Sequence, residues 1–166
     1  MNKFVATVLA VAVLAACTSN DKKSNKAPSA ASKETATIKE GTSSRGAANF
    51  KLDYFKTIPD TIDGCGEYIT YDTTTVKDKY IFLSNLSDFA IMKVNGQDIY
   101  LTRDSAASKT INDKSYISVY KGHGYKAILT VRETEAHDEG GFYKGTLQIF
   151  SDKTFVMFKV KGEVGC

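Results

Sequence analysis

The chain has 166 residues, of which 42% are hydrophobic, 11% aromatic and 25% charged, with a formal net charge of +3. That basic balance is local: Lys3 supplies +1, residues 18–49 hold six cations against three anions, and residues 50–166 hold fifteen cations against sixteen anions, a net of −1. A nearly neutral domain lacks the clustered positive charge that phosphate backbones require, so nucleic acid is excluded as an expected partner.

Residues 1–16 open with Lys3 and continue as an apolar run from Phe4 to Ala16 broken only by Thr7. Such a run is about 20 Å long as a helix, short of a hydrocarbon core of about 30 Å, so it reads as a secretory signal and not a membrane span. Leu14-Ala15-Ala16-Cys17 resembles the lipobox of bacterial lipoproteins, in which small residues fit the signal peptidase and the cysteine sulfur receives a diacylglyceryl group. The resemblance implies a mature chain that begins at a lipidated Cys17 and is held to a membrane by its acyl chains. Thr18 stands where an inner-membrane retention signal usually places Asp, which favours the outer membrane.

Cys65 and Cys166 remain. In an exported chain they are expected to pair, closing a loop of about 100 residues for which chain entropy predicts roughly 4.7 kcal/mol. Metal held by these two cysteines with His123 and His137 is the weaker alternative. Residues 17–49 are expected to form the lipidated cysteine and a flexible tether, since residues 18–49 contain a single apolar Ile38 and no aromatic side chain. Too little surface is available there to offset the entropy of ordering, and the reach as a coil is roughly 30 Å.

Composition changes at Phe50: from that residue on lie all nine tyrosines and eight of the nine phenylalanines. Residues 50–166 are therefore expected to form a single domain. Phe50, Leu52 and Tyr54 alternate as in a strand, yet Phe50, Tyr54, Phe55 and Ile58 also fit one helix face, so a short helix or an irregular plug is expected before Pro59. Eight strand candidates follow at 67–72, 79–84, 89–94, 97–103, 115–121, 125–135, 142–150 and 154–163. Asn95-Gly96 suits a type I′ turn, pairing Met92 with Ile99, Ala90 with Leu101 and Ile91 with Tyr100. A two-residue turn at Asp152-Lys153 sets Ile149 opposite Val156, Leu147 opposite Phe158 and Gly145 opposite Val160. The fold class is thus all-β: about eight short antiparallel strands in a small up-and-down barrel or sandwich.

Taking Gly122-His123-Gly124 as a three-residue turn pairs Val119 with Ala127 and Ile117 with Leu129. Tyr116, Tyr120 and Ile128 then fall together on the opposite, solvent face, a candidate binding patch. The 103–114 loop is a second candidate. Glu133, Glu135 and His137 alternate and have the side-chain types for a divalent cation, but a solvated hairpin tip explains them better and no metal site is assigned. His123 lies between two glycines and reads as a turn residue. No Gly-x-Ser-x-Gly elbow, His-Glu-x-x-His or glycine-rich phosphate loop occurs, so neither catalysis nor a cofactor is expected.

The lipobox, "IDGCG" at 62–66, "VNGQDIYL" at 94–101 and the terminal "GEVGC" at 162–166 together resemble the small disulfide-containing barrel lipoproteins of Bacteroidota. The architecture is also similar to the membrane-bound inhibitors of c-type lysozyme, which present a Ser-Gly-x-x-Tyr loop. The corresponding "RDSAASKTINDKSY" lacks the glycine and tyrosine at that spacing. The expected function is a lipid-anchored cell-envelope module that binds a protein or glycan, with an inhibitor or immunity role as its sharpest form. The alternatives are a structural envelope lipoprotein without a discrete ligand and, lower, an unrecognised hydrolase or metal-binding protein.

Overall fold

The computed structural model describes residues 50–166; the expected signal sequence, Cys17 and the expected tether lie outside the described residues. The strands are β1 (Gly66–Tyr71), β2 (Phe82–Ser84), β3 (Phe89–Val94), β4 (Gln97–Arg103), β5 (Lys109–Asn112), β6 (Ser115–Gly122), β7 (Tyr125–His137), β8 (Gly140–Ser151) and β9 (Thr154–Gly165). Their order is β4-β3-β2-β1-β9-β8-β7-β6-β5, and a β4–β6 pairing closes all but β5 into an eight-stranded antiparallel barrel. Of the two expected architectures, the chain adopts the up-and-down barrel. Closure removes the unpaired edges that an open sheet of this length would expose.

Alternation along each strand builds the core. Ile69, Phe82, Met92, Leu101, Leu129, Leu147, Ile149 and Val160 point inward and are buried. Gly145 belongs to the same row, where a Cβ would stand 1.9 Å from the Thr130 carbonyl oxygen, so only glycine lets β7 and β8 approach there. Asn95 and Gly96 have φ of 51° and 78°, as a type I′ turn demands, and β3–β4 pairs Met92↔Ile99, Ile91↔Tyr100 and Ala90↔Leu101 as expected. The β8–β9 register likewise sets Ile149↔Val156, Leu147↔Phe158 and Gly145↔Val160.

Residues 50–62 form no helix; they are the irregular plug. Leu52 enters one end of the barrel, where its backbone N–H donates to the Tyr71 hydroxyl at 3.0 Å and that hydroxyl donates to the Leu52 carbonyl at 3.0 Å. Asp53 pairs with Lys93 as an isolated bridge and accepts from the Gly96 N–H at 2.7 Å. Phe55 and Ile62 then cover Leu83 and Ile91 on the outer face of β2 and β3. One end of the barrel is therefore stoppered.

The β6–β7 turn corrects the expectation for the tyrosines. Gly122 pairs with Tyr125, leaving a two-residue His123-Gly124 turn with φ of 49° and 74°. Val119 consequently faces Ile128, and Tyr120 faces Ala127. A one-residue difference in register exchanges the two faces of a strand. Tyr116, Ser118 and Tyr120 point into the barrel, whereas Ile128 stays outside and half-buried, so the three candidate residues do not form one exposed patch.

The 103–114 segment holds β5, which sequence patterning did not reveal. β4 pairs with β6 through Thr102↔Lys121 and Arg103↔Tyr120, and β5 takes over along the same strand through Lys109↔Ile117 and Thr110↔Tyr116. Residues 104–108 bulge between them and substitute for the missing ladder bonds: Asp104 N–H donates to the Val119 carbonyl at 2.7 Å, and Val119 N–H donates to Ser108 Oγ at 2.9 Å. The bulge is fixed by Lys121 Nζ on Asp104 Oδ2 at 2.5 Å, which holds the Asp104 carboxyl below the usual carboxylate range.

Candidate functional site

At the end opposite Leu52 the barrel carries a polar floor. Glu67 occupies the inward row of β1, two residues before Ile69, and is only 1% exposed. Burying a carboxylate without partners is costly. Three hydroxyls from two strands supply them: Ser84 Oγ donates to Oε2 at 2.5 Å, the Tyr120 hydroxyl to Oε2 at 3.1 Å, and the Tyr116 hydroxyl to Oε1 at 2.8 Å. A carboxylate offers about four acceptor positions, so three are committed within the protein. Tyr120 also packs edge-on against Phe82, and Tyr116 lies tilted against Tyr143, with ring centroids 5.5 and 5.6 Å apart.

The opening above this floor exists because β5 extends along β6 beyond β4 and has no strand on its other side. A recess of about 490 Å³ lies there, lined among others by Glu67, Arg103, Ser108, Lys109, Ser115 and Tyr116. Its rim is ordered by the 85–88 turn. Asn85 Oδ1 accepts from the N–H groups of Ser87, Asp88 and Phe89 at 3.1–3.2 Å, and Arg103 Nη1 donates to the Leu86 carbonyl. The disulfide between Cys65 and Cys166 closes the same end, joining the residue before β1 to the residue after β9.

Burial and the adjacent Glu67 charge push the Tyr116 and Tyr120 hydroxyls far above the ordinary tyrosine value of 10.0. Above pH 10 the unfolded chain therefore loses protons that the folded chain retains, and stability falls as pH rises. Constant stability up to about pH 10 is expected, followed by a decline of up to about 1.4 kcal/mol per pH unit for each of the two tyrosines. Urea midpoints measured between pH 8 and 11.5 check this. The Tyr116→Phe/Tyr120→Phe variant should show the shallower slope, and identical slopes would refute the assignment.

The other sequence candidates lie elsewhere. A bulge between Glu133 and Glu135 sends Glu133 to the Tyr143 row and Glu135 to the Phe142 row, so the alternation that would align Glu133, Glu135 and His137 is broken. Among the described residues no group of three or more His, Cys, Asp or Glu is placed to hold a metal ion. His137 Nε2 instead stands 3.3 Å from Glu163 Oε1. His123 is a turn residue at positive φ. Glu67 itself was not singled out in the sequence; its only signal is a carboxylate at the head of the inward row that continues with Ile69 and Tyr71.

No family model matches the chain, and no curated protein or solved structure matches it either.

Proposed function

We propose that the protein is a non-catalytic binding module of the bacterial cell envelope, anchored to the outer membrane through a lipidated Cys17 and receiving a protein or glycan partner at the open end of the barrel. The observation that carries this reading is the recess floored by Glu67. Its walls are fixed before any ligand arrives, through the Asn85 turn, the Asp104 bulge and the tyrosine cluster, and preorganisation of this kind lowers the cost of binding. Three hydroxyls already occupy most of the Glu67 carboxylate, which suits a group that positions others and not one that exchanges protons with a substrate. The lipobox and the resemblance to small Bacteroidota barrel lipoproteins support the location.

A photo-crosslinking amino acid placed at Ser115 of the full-length chain in intact cells tests the reading, with Asn95 at the stoppered end as control. A discrete adduct from position 115 and none from 95 is expected, and introducing Lys109→Trp at the exposed rim should abolish it. No adduct, or the same adduct from both ends, would instead favour a structural lipoprotein without a discrete ligand. Cys17→Ser should move the protein to the soluble fraction; retention in membranes would remove the anchor from the proposal.

A further inference from the structure

We propose a second site, on the outer face of β1, β9 and β8, that binds an acidic saccharide. Thr70, Lys161, Lys144 and Arg132 are successive cross-strand partners on β1, β9, β8 and β7. Three cations directly opposite one another repel, and such a row is destabilising unless an anion lies across it. Of these three cations, Lys144 alone forms an ion pair among the described residues, with Asp72 Oδ1 at 3.8 Å. Lys161 is half-buried in this row with no ion pair among the described residues.

The next row is Tyr68, Glu163 and Phe142. Glu163 faces His137, while the Phe142 ring is 45% exposed. Beside both rows stands the loop that brings Lys77, Lys79 and the Tyr80 ring, and together they enclose a cleft of about 810 Å³. Four lysines face two acids across its lining, in a domain whose net charge is −1. Thr70 Oγ1, shielded from solvent in the floor, has no hydrogen-bond partner among the described residues.

The combination selects the ligand class. Lysines at this spacing call for more than one negative charge, Phe142, with the His137 ring 5.4 Å from its own, keeps exposed apolar surface for stacking, and Thr70 and Thr75 supply hydroxyls, those of Thr74 and Thr134 being bonded to the Tyr54 hydroxyl and the Phe142 carbonyl. A uronic-acid oligosaccharide has carboxylates, apolar ring faces and hydroxyls at once, whereas an acidic peptide leaves the aromatic ring without a role. The tether is no complement, because residues 18–49 carry a net +3. This site lies outside the barrel and does not depend on the recess at Glu67.

Calorimetric titration of the full chain in detergent tests it, using hexagalacturonate, its fully methyl-esterified counterpart and hexaglutamate. Hexagalacturonate should bind at least tenfold more tightly than the ester. Lys144→Gln/Lys161→Gln should weaken it about tenfold without lowering the unfolding temperature, since that variant relieves repulsion. Phe142→Ser should weaken it severalfold, and Lys109→Trp at the recess should leave it unchanged. Equal binding of acid and ester, or no saturable binding of hexagalacturonate, overturns the proposal. Equal binding of hexaglutamate with Phe142→Ser silent overturns it as well, in favour of an acidic peptide.

Discussion

Replacing Glu67 with alanine is expected to lower the unfolding free energy by about 3 kcal/mol or more, because three buried hydroxyls lose their acceptor at once and each unsatisfied group costs about 1–3 kcal/mol. The donors come from β2 and β6, so the loss loosens strands on both sides of the barrel. Against a total stability of about 5–15 kcal/mol for a domain of this kind, the change is large. Urea denaturation measures it directly. Glu67→Leu placed in a Tyr116→Phe/Tyr120→Phe background should cost far less than the sum of the separate substitutions, since removing donors together with their acceptor leaves nothing unpaired. A Glu67→Ala effect within about 0.5 kcal/mol of zero, the range of ordinary surface substitutions, would show that the cluster does not hold the barrel end together.

The second large effect is expected from the disulfide. Cys65 and Cys166 are 101 residues apart in sequence, and their bridge sits next to the Gly66↔Gly165 pair that ends the β1–β9 ladder. Cys65→Ser/Cys166→Ser should cost about 2–5 kcal/mol, chiefly by freeing the unfolded chain. Amide exchange localises the remainder: protection should fall at Glu67 and Val164, one pair in from the Gly66↔Gly165 pair beside the bridge, and stay high at Leu147 and Ile149 in mid-barrel. Unchanged protection and an unchanged urea midpoint after reduction would mean that strand pairing alone holds the terminal segment. The same variant bears on the recess, because Val164 is part of its lining.

The two hairpins centred on Asn95-Gly96 and Asp152-Lys153 were legible in the sequence because each offers one turn of defined length, and turn length sets register. With register set, inward and outward rows followed, and so did an antiparallel barrel with an apolar interior. The paired Cys65 and Cys166 were legible for a similar reason, as the two cysteines left once Cys17 is assigned to lipid. At Gly122-His123-Gly124 the sequence offers two turns of different length. Local preference does not choose between them, and the shift of one residue carried Tyr116 and Tyr120 from the outside to the inside. What decided was burial: the interior at that end contains Glu67, whose carboxylate needs the two tyrosine hydroxyls. β5 was hidden because all four of its residues are exposed, leaving no hydrophobic alternation to read.

The sequence by itself determined the all-β class and two of the hairpin registers, since alternation and turn chemistry act over a few residues. Only the tertiary structure decided the site. Glu67 meets Ser84, Tyr116 and Tyr120 across separations of 17, 49 and 53 residues, and the lysine row joins strands from both ends of the domain. Closure of the barrel sets those distances, and no local pattern encodes them.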